Sequence, residues 1–454
     1  PVRLVPKQRS WGARAITARS SIRSWDGGAI PARRSVAGAS TAAALARYLL
    51  VAACTGAVRA MTSGAGPVTG AVPRARVFKP NPSGITAAGA LLREGRLVAF
   101  PTETVYGLGA NAFSEEAVLD IFRVKGRPLT DPLIVHVPSP RQCGDLFALD
   151  EASRAAVEHL ATAFWPGPLT IVARAAPSLP LAVSAGTGLV GVRCPDHAVA
   201  CELLASANVP VAAPSANRFG HVSPTTAQHV LDDLGAHDIA VLDAPGCTVG
   251  IESTVAKVDV DAREVIVLRR GGVSEAALQA SLLQSGTGFT VRAPPQGQAP
   301  EPRVAPHDSA QQAPGQLLTH YAPDRPTLLA VLDADSSHAA LGSDPSGGSP
   351  RTPSLEEAGV ALESSVVVDF GARLAESAPR AAAYRDLSPA GDVREASRTL
   401  FDVLRWSEAV GGASHVLLVD LLALRVEDEH VGALYDRMFR AASGRRVRFH
   451  EGAQ

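Results

Sequence analysis

The chain of 454 residues carries five cysteines and no C-x-x-C pair among them. Cys54, Cys143, Cys194, Cys201 and Cys247 are scattered, which argues against a zinc site or a disulfide framework and fits a reducing compartment. Neither sign of charge is in excess: 43 Lys and Arg against 44 Asp and Glu leave a net charge of -1, so any cationic site has to be local. Long apolar runs are missing too. Residues 41–58 come nearest, but Arg47 interrupts them and alanine dominates, so a targeting segment is expected there and no stable membrane span. The signatures G-x-x-x-x-G-K-[ST], H-E-x-x-H, G-x-S-x-G and those of protein kinases do not occur, which removes the common NTPase, zinc-protease and hydrolase templates.

Acidic residues are almost absent from positions 1–75, where Asp26 stands alone against ten arginines and several serines. That composition predicts an organellar transit peptide, for a mitochondrion or a plastid. The chain opens on Pro1, so an incomplete or processed start is expected, and Met61 offers an internal start for a cytoplasmic form.

What is present is a globular α/β pattern: 46% apolar and 19% charged residues, at a length that implies two domains. Over 76–283 short apolar runs alternate with helical patterns, predicting strands at 97–100, 133–137, 169–173, 189–193, 209–213, 239–242, 254–258 and 265–268. Ser114, Glu115 and Glu116 start a helix that ends before Gly126, and Ser223 with Pro224 starts another that Gly235 closes. Residues 284–326 read as a linker with one ordered island, APGQLLTHYAPDRP at 313–326. A smaller α/β domain follows at 327–454, interrupted by a Ser/Gly/Pro-rich insertion at about 335–354 that reads as a disordered loop.

Five polar turns stand beside the predicted strands of the first domain. FPTETVYGLGANAF, residues 100–113, follows an apolar strand with Thr102, Glu103, Thr104 and Tyr106, as if exposed, and Gly107 and Gly109, as if loosening the backbone. Its hydroxyls are placed to orient a small polar substrate, although a local turn satisfied by the threonines is the plainer reading. GLGANA also matches G-x-G-x-x-A, but PTETVY intervenes between strand and glycine and the helix starts only near Ser114, against a dinucleotide site.

Lys125 and Arg127 flank Gly126 after a helix, a fork and a point charge that together suit phosphate, or else simply cap the helix. His136 lies on the next strand, where a histidine is more often a core group than a catalyst. WPGPLT with Thr170, PSAN with Ser215 and Asn217, and GIESTV with Ser253 complete the set, and Arg269 ends the last strand. Gathered at a common rim of the sheet, these groups suit a nucleoside triphosphate beside an amino acid.

In this order FPTETVYGLGANA, KGRP with PLIVHV, WPGPLT, GVRCPDH, PSANRFGHVSPT, GIESTV and LRRGG resemble the YrdC/Sua5 family of L-threonylcarbamoyladenylate synthases over about residues 84–283. HYAP and the terminal YDRMFRAASGRR are similar to the longer Sua5 type. The resemblance implies a YrdC-like twisted open mixed sheet followed by a Rossmann-like Sua5 C-terminal domain. It implies a reaction of L-threonine, bicarbonate and ATP, with Mg2+ on the phosphates, and a product passed to a threonylcarbamoyl transferase complex that modifies tRNA beside the anticodon. Lys125, Arg127, Ser215, Asn217, Arg269 and Thr170 would then grip the nucleotide; Thr102 or Thr104, His136 and Ser253 would hold threonine; no protein side chain is assigned to a metal.

Tyr321 would close over the nucleotide and keep water from the labile carbamate. Two departures stand out. Asp131 occupies a nucleotide-side position where relatives commonly have asparagine, adding an anion near the phosphates, and Leu317 and Leu318 replace a basic residue often found before HYAP. The alternative is a non-catalytic module binding double-stranded RNA or nucleotide on the same fold. A carbamoyl-transfer maturation factor would need zinc-finger cysteines that this chain lacks.

Overall fold

The computed structural model describes residues 74–294, 310–332, 351–422, 424 and 426–449. The expected targeting segment, apart from its last two residues, the middle of the linker and most of the insertion lie outside the described residues.

The first domain is built on eleven strands: β1 (Arg76–Phe78), β2 (Val98–Phe100), β3 (Gly107–Asn111), β4 (Ile134–His136), β5 (Leu169–Arg174), β6 (Leu189–Arg193), β7 (Val211–Ala212), β8 (Ala240–Leu242), β9 (Thr254–Asp259), β10 (Glu264–Arg269) and β11 (Thr290–Arg292). Their order is β1-β8-β2-β3-β7-β4-β6-β5-β9-β10-β11, with parallel and antiparallel neighbours mixed. Helices α1 (Pro82–Arg93), α2 (Glu115–Lys125), α3 (Glu151–Phe164), α4 (Ala198–Ala207), α5 (Ala227–Leu234) and α6 (Glu275–Ser285) complete it. Local chemistry sets their ends. Asn81 accepts the Gly84 N–H at 2.9 Å with Pro82 opening α1, and Ser114 accepts the Ala117 N–H at 3.3 Å before α2. Gly126 closes α2 at φ 65°, in the left-handed region that a glycine takes without steric cost. Ile85, Leu92, Phe100, Leu203 and Leu204 form a dry layer between α1, α4 and β2.

The sequence reading placed the start of the α5 segment at Ser223. The cap is Thr226, which accepts the His229 N–H at 3.2 Å, because Ser223 spends its hydroxyl on Glu252 at 2.6 Å. Gly107–Asn111 is likewise a strand rather than loosened backbone. A Cβ on Gly109 would stand 2.8 Å from both Phe100 and Val211, so the glycine serves close packing.

The second domain carries β12 (Thr327–Leu332), β13 (Ser365–Asp369), β14 (Ala383–Asp386), β15 (His415–Val419) and β16 (Arg446–Phe449), all parallel, in the order β14-β13-β15-β12-β16. Helices α7 (Val393–Ala409) and α8 (Val431–Ala441) accompany it. Its core of Leu329, Val367, Phe401, Leu417 and Met438 is continuous with Val105, Ile251 and Tyr321 of the first domain and linker. Among the described residues no helix is long and apolar enough to cross a membrane.

An ionic joint also ties the domains. His221 lies 2.9 Å from Asp233 through Nδ1 and 2.8 Å from Glu408 of α7 through Nε2. Two carboxylate partners require both ring nitrogens to donate, which only the imidazolium can do. Arg405 of α7 reaches Asp233 at 3.0 Å; Asp324 donates its N–H to Glu408 at 2.7 Å and is paired with Arg218 at 2.9 Å. Burial lowers the His221 pKa, but the Asp233 and Glu408 bonds outweigh it and the net direction is up. A raised folded pKa stabilises fully below the ordinary value of about 6.5 and loses that contribution as pH climbs through the raised one. His221→Asn is therefore expected to lower unfolding free energy by about 3 kcal/mol at pH 6 and by clearly less at pH 9. Equal losses at the two pH values in urea titrations would mean that His221 is neutral here.

Candidate functional site

The polar turns meet, but not at a common rim. From the strand pairings, 101–106 and 213–217 leave one end of the sheet, whereas Arg193, Thr170, Ser253 and Arg269 stand at the other. They converge over the sheet face, with Ile134 and His136 of β4, two residues apart and so on one side, as lining. Thr102, Thr104, Gly107, Arg127, Arg193, Ser215, Ser253, Arg269, Glu252, Gly315, His320 and Tyr321 share the same hollow, about 520 Å³ of empty space with its mouth counted.

The opening stretch is buried rather than exposed, and Pro314, Gly315, His320 and Tyr321 of the 313–326 island line the same hollow. Thr102 forms the local turn: its hydroxyl donates to the Val105 carbonyl at 2.7 Å and accepts the N–H groups of Thr104 and Val105 at 3.2 Å. Thr104 is held differently. Its hydroxyl lies 2.8 Å from Thr102 Oγ1 and accepts from Arg193 at 2.8 Å. Tyr106 is structural, its hydroxyl donating to the Ala244 carbonyl at 2.8 Å.

The cations divide into two kinds. Lys125 does not line the hollow; its Nζ donates to the Ser215 carbonyl at 2.6 Å and to that of Asn217, tying the PSAN turn to the end of α2. Burial, and then Arg127, hold its pKa well below that of a free lysine. Asn217 stands beside it outside the lining, donating through Nδ2 to the Arg218 and His221 carbonyls at 2.7 and 2.8 Å. Arg127 does line the hollow. It donates to the carbonyls of Asp131 and Pro132 at 3.1 and 2.8 Å and is ion-paired with Asp131 at 3.0 Å. The added anion is thus offset within the fold. Burial pushes the Asp131 carboxyl up against the pull of Arg127, and Asp131 lies behind the wall, fully buried.

Arg269 donates to neutral oxygens: the Ser253 carbonyl at 3.0 and 3.2 Å, the Ser253 hydroxyl at 3.2 Å and the Pro314 carbonyl at 3.4 Å. Thr170, outside the lining, lies 2.8 Å from the Ser253 hydroxyl and orients it from behind. His136 is edge-on to Phe100, and burial brings its pKa down to about 3, so a neutral imidazole faces the hollow. Its Nδ1, the His320 Nδ1 and the Tyr321 hydroxyl are buried without hydrogen-bond partners among the described residues, and all three residues line the hollow.

Sequence reasoning assigned no role to Arg193, Glu103, Glu252 or His320. Arg193 ends β6, lines the hollow, and pairs with buried Glu103 at 2.6 Å. A lone buried-strand arginine after alternating small residues in LVGVR was the available signal for it.

Two family patterns divide the chain: "Telomere recombination" matches residues 90–271, and "Threonylcarbamoyl-AMP synthase, C-terminal domain" matches residues 273–443. The threonylcarbamoyl-AMP synthase of Pyrococcus abyssi is 33% identical over 365 residues, covering 80% of this chain and 95% of that protein. The Bacillus subtilis protein of the same name is 37% identical over 249 residues, 54% of this chain and 66% of its own. A crystal structure of P. abyssi Sua5 complexed with L-threonine superposes with a TM-score of 0.64 at 31% identity, covering 83% of this chain and 99% of that one. With nearly the whole length of a relative matched at that identity, and both domain patterns in order, the chain belongs to the threonylcarbamoyl-AMP synthase family in its two-domain Sua5 form.

Proposed function

We propose that this enzyme is a nucleotidyltransferase that joins L-threonine, bicarbonate and ATP into L-threonylcarbamoyl-AMP and releases pyrophosphate. The observation that carries the reading is the convergence of three guanidinium groups, Arg127, Arg193 and Arg269, with the hydroxyls of Thr104, Ser215 and Ser253 in one hollow beneath Tyr321. Every reactant here is anionic or becomes so. The threonine amine adds to bicarbonate to give a carbamate with loss of water; a carbamate oxygen then attacks the α-phosphorus while the bond to the β-phosphate oxygen breaks. The nucleophile is already an anion, so the protein's task is charge neutralisation and alignment.

Arg127 and Arg269 are positioned for the phosphates, with Lys125 and Asn217 fixing the PSAN turn that presents Ser215. Arg193, Thr104, Ser253 and neutral His136 suit threonine's carboxylate, hydroxyl and amine. Tyr321 and His320 cover the hollow and exclude water that would hydrolyse the mixed anhydride.

Mg2+ belongs to this proposal as an ion carried on the triphosphate. Among the described residues the hollow offers it no carboxylate set: Glu252, the one acidic lining residue, is bonded through both oxygens. The described cluster with metal-ligand spacing, His221, Asp324 and Glu408, is the domain joint. Transfer of the product to tRNA through a downstream transferase complex, and organellar delivery by the arginine-rich leader, are the further parts of the reading. The non-catalytic RNA-binding alternative is not favoured, since the matched relatives bear the synthase name. The test is pyrophosphate release from ATP by purified residues 76–454 with threonine and bicarbonate omitted in turn. Release is expected only when both are present; equal release without threonine would overturn the substrate assignment.

A further inference from the structure

Among the described residues, the hollow that has to accept a polyanion is lined by one carboxylate, Glu252, in the loop that carries Ser253. An uncompensated carboxylate there repels phosphate through a poorly screened medium. Its ion-pair partner comes from the other domain. Arg437 of α8, 0% exposed, donates from Nε to Glu252 Oε2 at 3.0 Å, while Ser223 donates to Oε1 at 2.6 Å. The same guanidinium donates to the Arg270 carbonyl at 2.6 Å and to that of Ala433 at 3.3 Å, and its carbon lies 5.6 Å from the centre of the Tyr321 ring. One side chain of the second domain therefore touches the loop before β9, the turn after β10 and the strap over the hollow.

We propose that Arg437 is a positioning residue of the nucleotide site: it neutralises Glu252 and holds that carboxylate off the phosphates, so that the second domain completes a site formed by the first. This explains why the most buried arginine among the described residues lies on a helix outside the first domain, and why the two cores are continuous through Ile251 and Tyr321. A purely structural role would lower stability without singling out the nucleotide.

The inference rests on the nucleotide reading above, and the experiment separates the two. ATP binding and pyrophosphate release are measured for the wild type, Arg437→Met, Arg437→Lys, Glu252→Gln and the pair Arg437→Met with Glu252→Gln, together with thermal unfolding of each. Arg437→Met is expected to raise KM for ATP at least tenfold, with a smaller fall in kcat and little change in KM for threonine. The double variant should recover most of the ATP KM, because the charge to be neutralised is gone. Arg437→Lys, which keeps the charge but loses the fork, should hold the ATP KM within about threefold while losing stability.

If Arg437→Met does not fold, the lysine variant and the double variant still decide the matter. An ATP KM unchanged in a folded Arg437→Met protein, or no recovery in the double variant, overturns the role of Arg437 alone. A wild type that neither binds ATP nor releases pyrophosphate overturns the function itself.

Discussion

Arg127→Ala is expected to abolish pyrophosphate release and to lower the unfolding free energy by about 3–5 kcal/mol, the usual cost of removing one partner of a buried pair. The size follows from what remains. Asp131 is fully buried, 3.0 Å from the Arg127 guanidinium, and the carbonyls of Asp131 and Pro132 lose their donors in the same step. Adding Asp131→Asn removes the stranded charge, so the double variant should regain a large part of the stability in urea titrations. It should regain none of the activity, because the cation facing the hollow is still missing. A single variant as stable as the wild type would show that the pair is not buried as an ion pair. A double variant that turns over would take Arg127 out of the nucleotide site.

The same pair shows what could be read before any coordinates. Lys125, Arg127 and Asp131 were legible as a cationic loop with an acidic departure, since they lie within seven consecutive positions at the end of a helix whose serine N-cap and closing αL glycine are both visible in the sequence. Which of them faces an occupant was not legible. Lys125 is withdrawn onto two carbonyls about ninety positions away, whereas Arg127 lines the hollow.

The remaining omissions have the same physical origin. Arg193 acts on Thr104 and Glu103 across 89 and 90 positions, and Arg437 acts on Glu252 across 185, so no local spacing records either contact. The expected rim failed for a related reason: side-chain alternation reveals that a strand is half-buried but not which way its neighbour runs. Strand direction puts the threonine turn and the Ser253 loop at opposite ends of the sheet, yet both line one hollow with Ile134 and His136 of β4. The glycines of GLGAN were misread since a loose turn and a close approach call for the same residue, and only the position of Phe100 and Val211 tells them apart.

That ambiguity leads to the second large effect, at the LRRGG turn. Gly271→Ala is expected to reduce kcat/KM for threonine by about a hundredfold, on the scale of a displacement near 1 Å at a reacting centre. The obstruction is backbone: a Cβ at 271 would stand 2.3 Å from the Glu252 carbonyl oxygen and 2.4 Å from Ser253 C and Thr254 N. Neither chain can relieve this by turning a side chain, so the Ser253 loop has to move by about 1 Å to reach ordinary contact, at a cost of about 1–3 kcal/mol. Ser253 would then lose its 2.8 Å contact with Thr170 and its 3.2 Å bond from Arg269, the two interactions that aim its hydroxyl.

Gly272 provides the control on the same turn. A Cβ there would meet the Pro168 ring at 2.7 and 2.8 Å and not the Ser253 loop itself; Pro168 is linked to that loop one step away, its carbonyl accepting the Thr254 N–H at 2.9 Å. Gly272→Ala should therefore lose stability of a similar order but a smaller share of the activity, since its displacement reaches Ser253 only through Pro168. Steady-state kinetics with both variants, each checked by thermal unfolding, read the difference directly. If Gly271→Ala retains full activity, the Ser253 loop tolerates displacement and its hydroxyl is not what orients threonine.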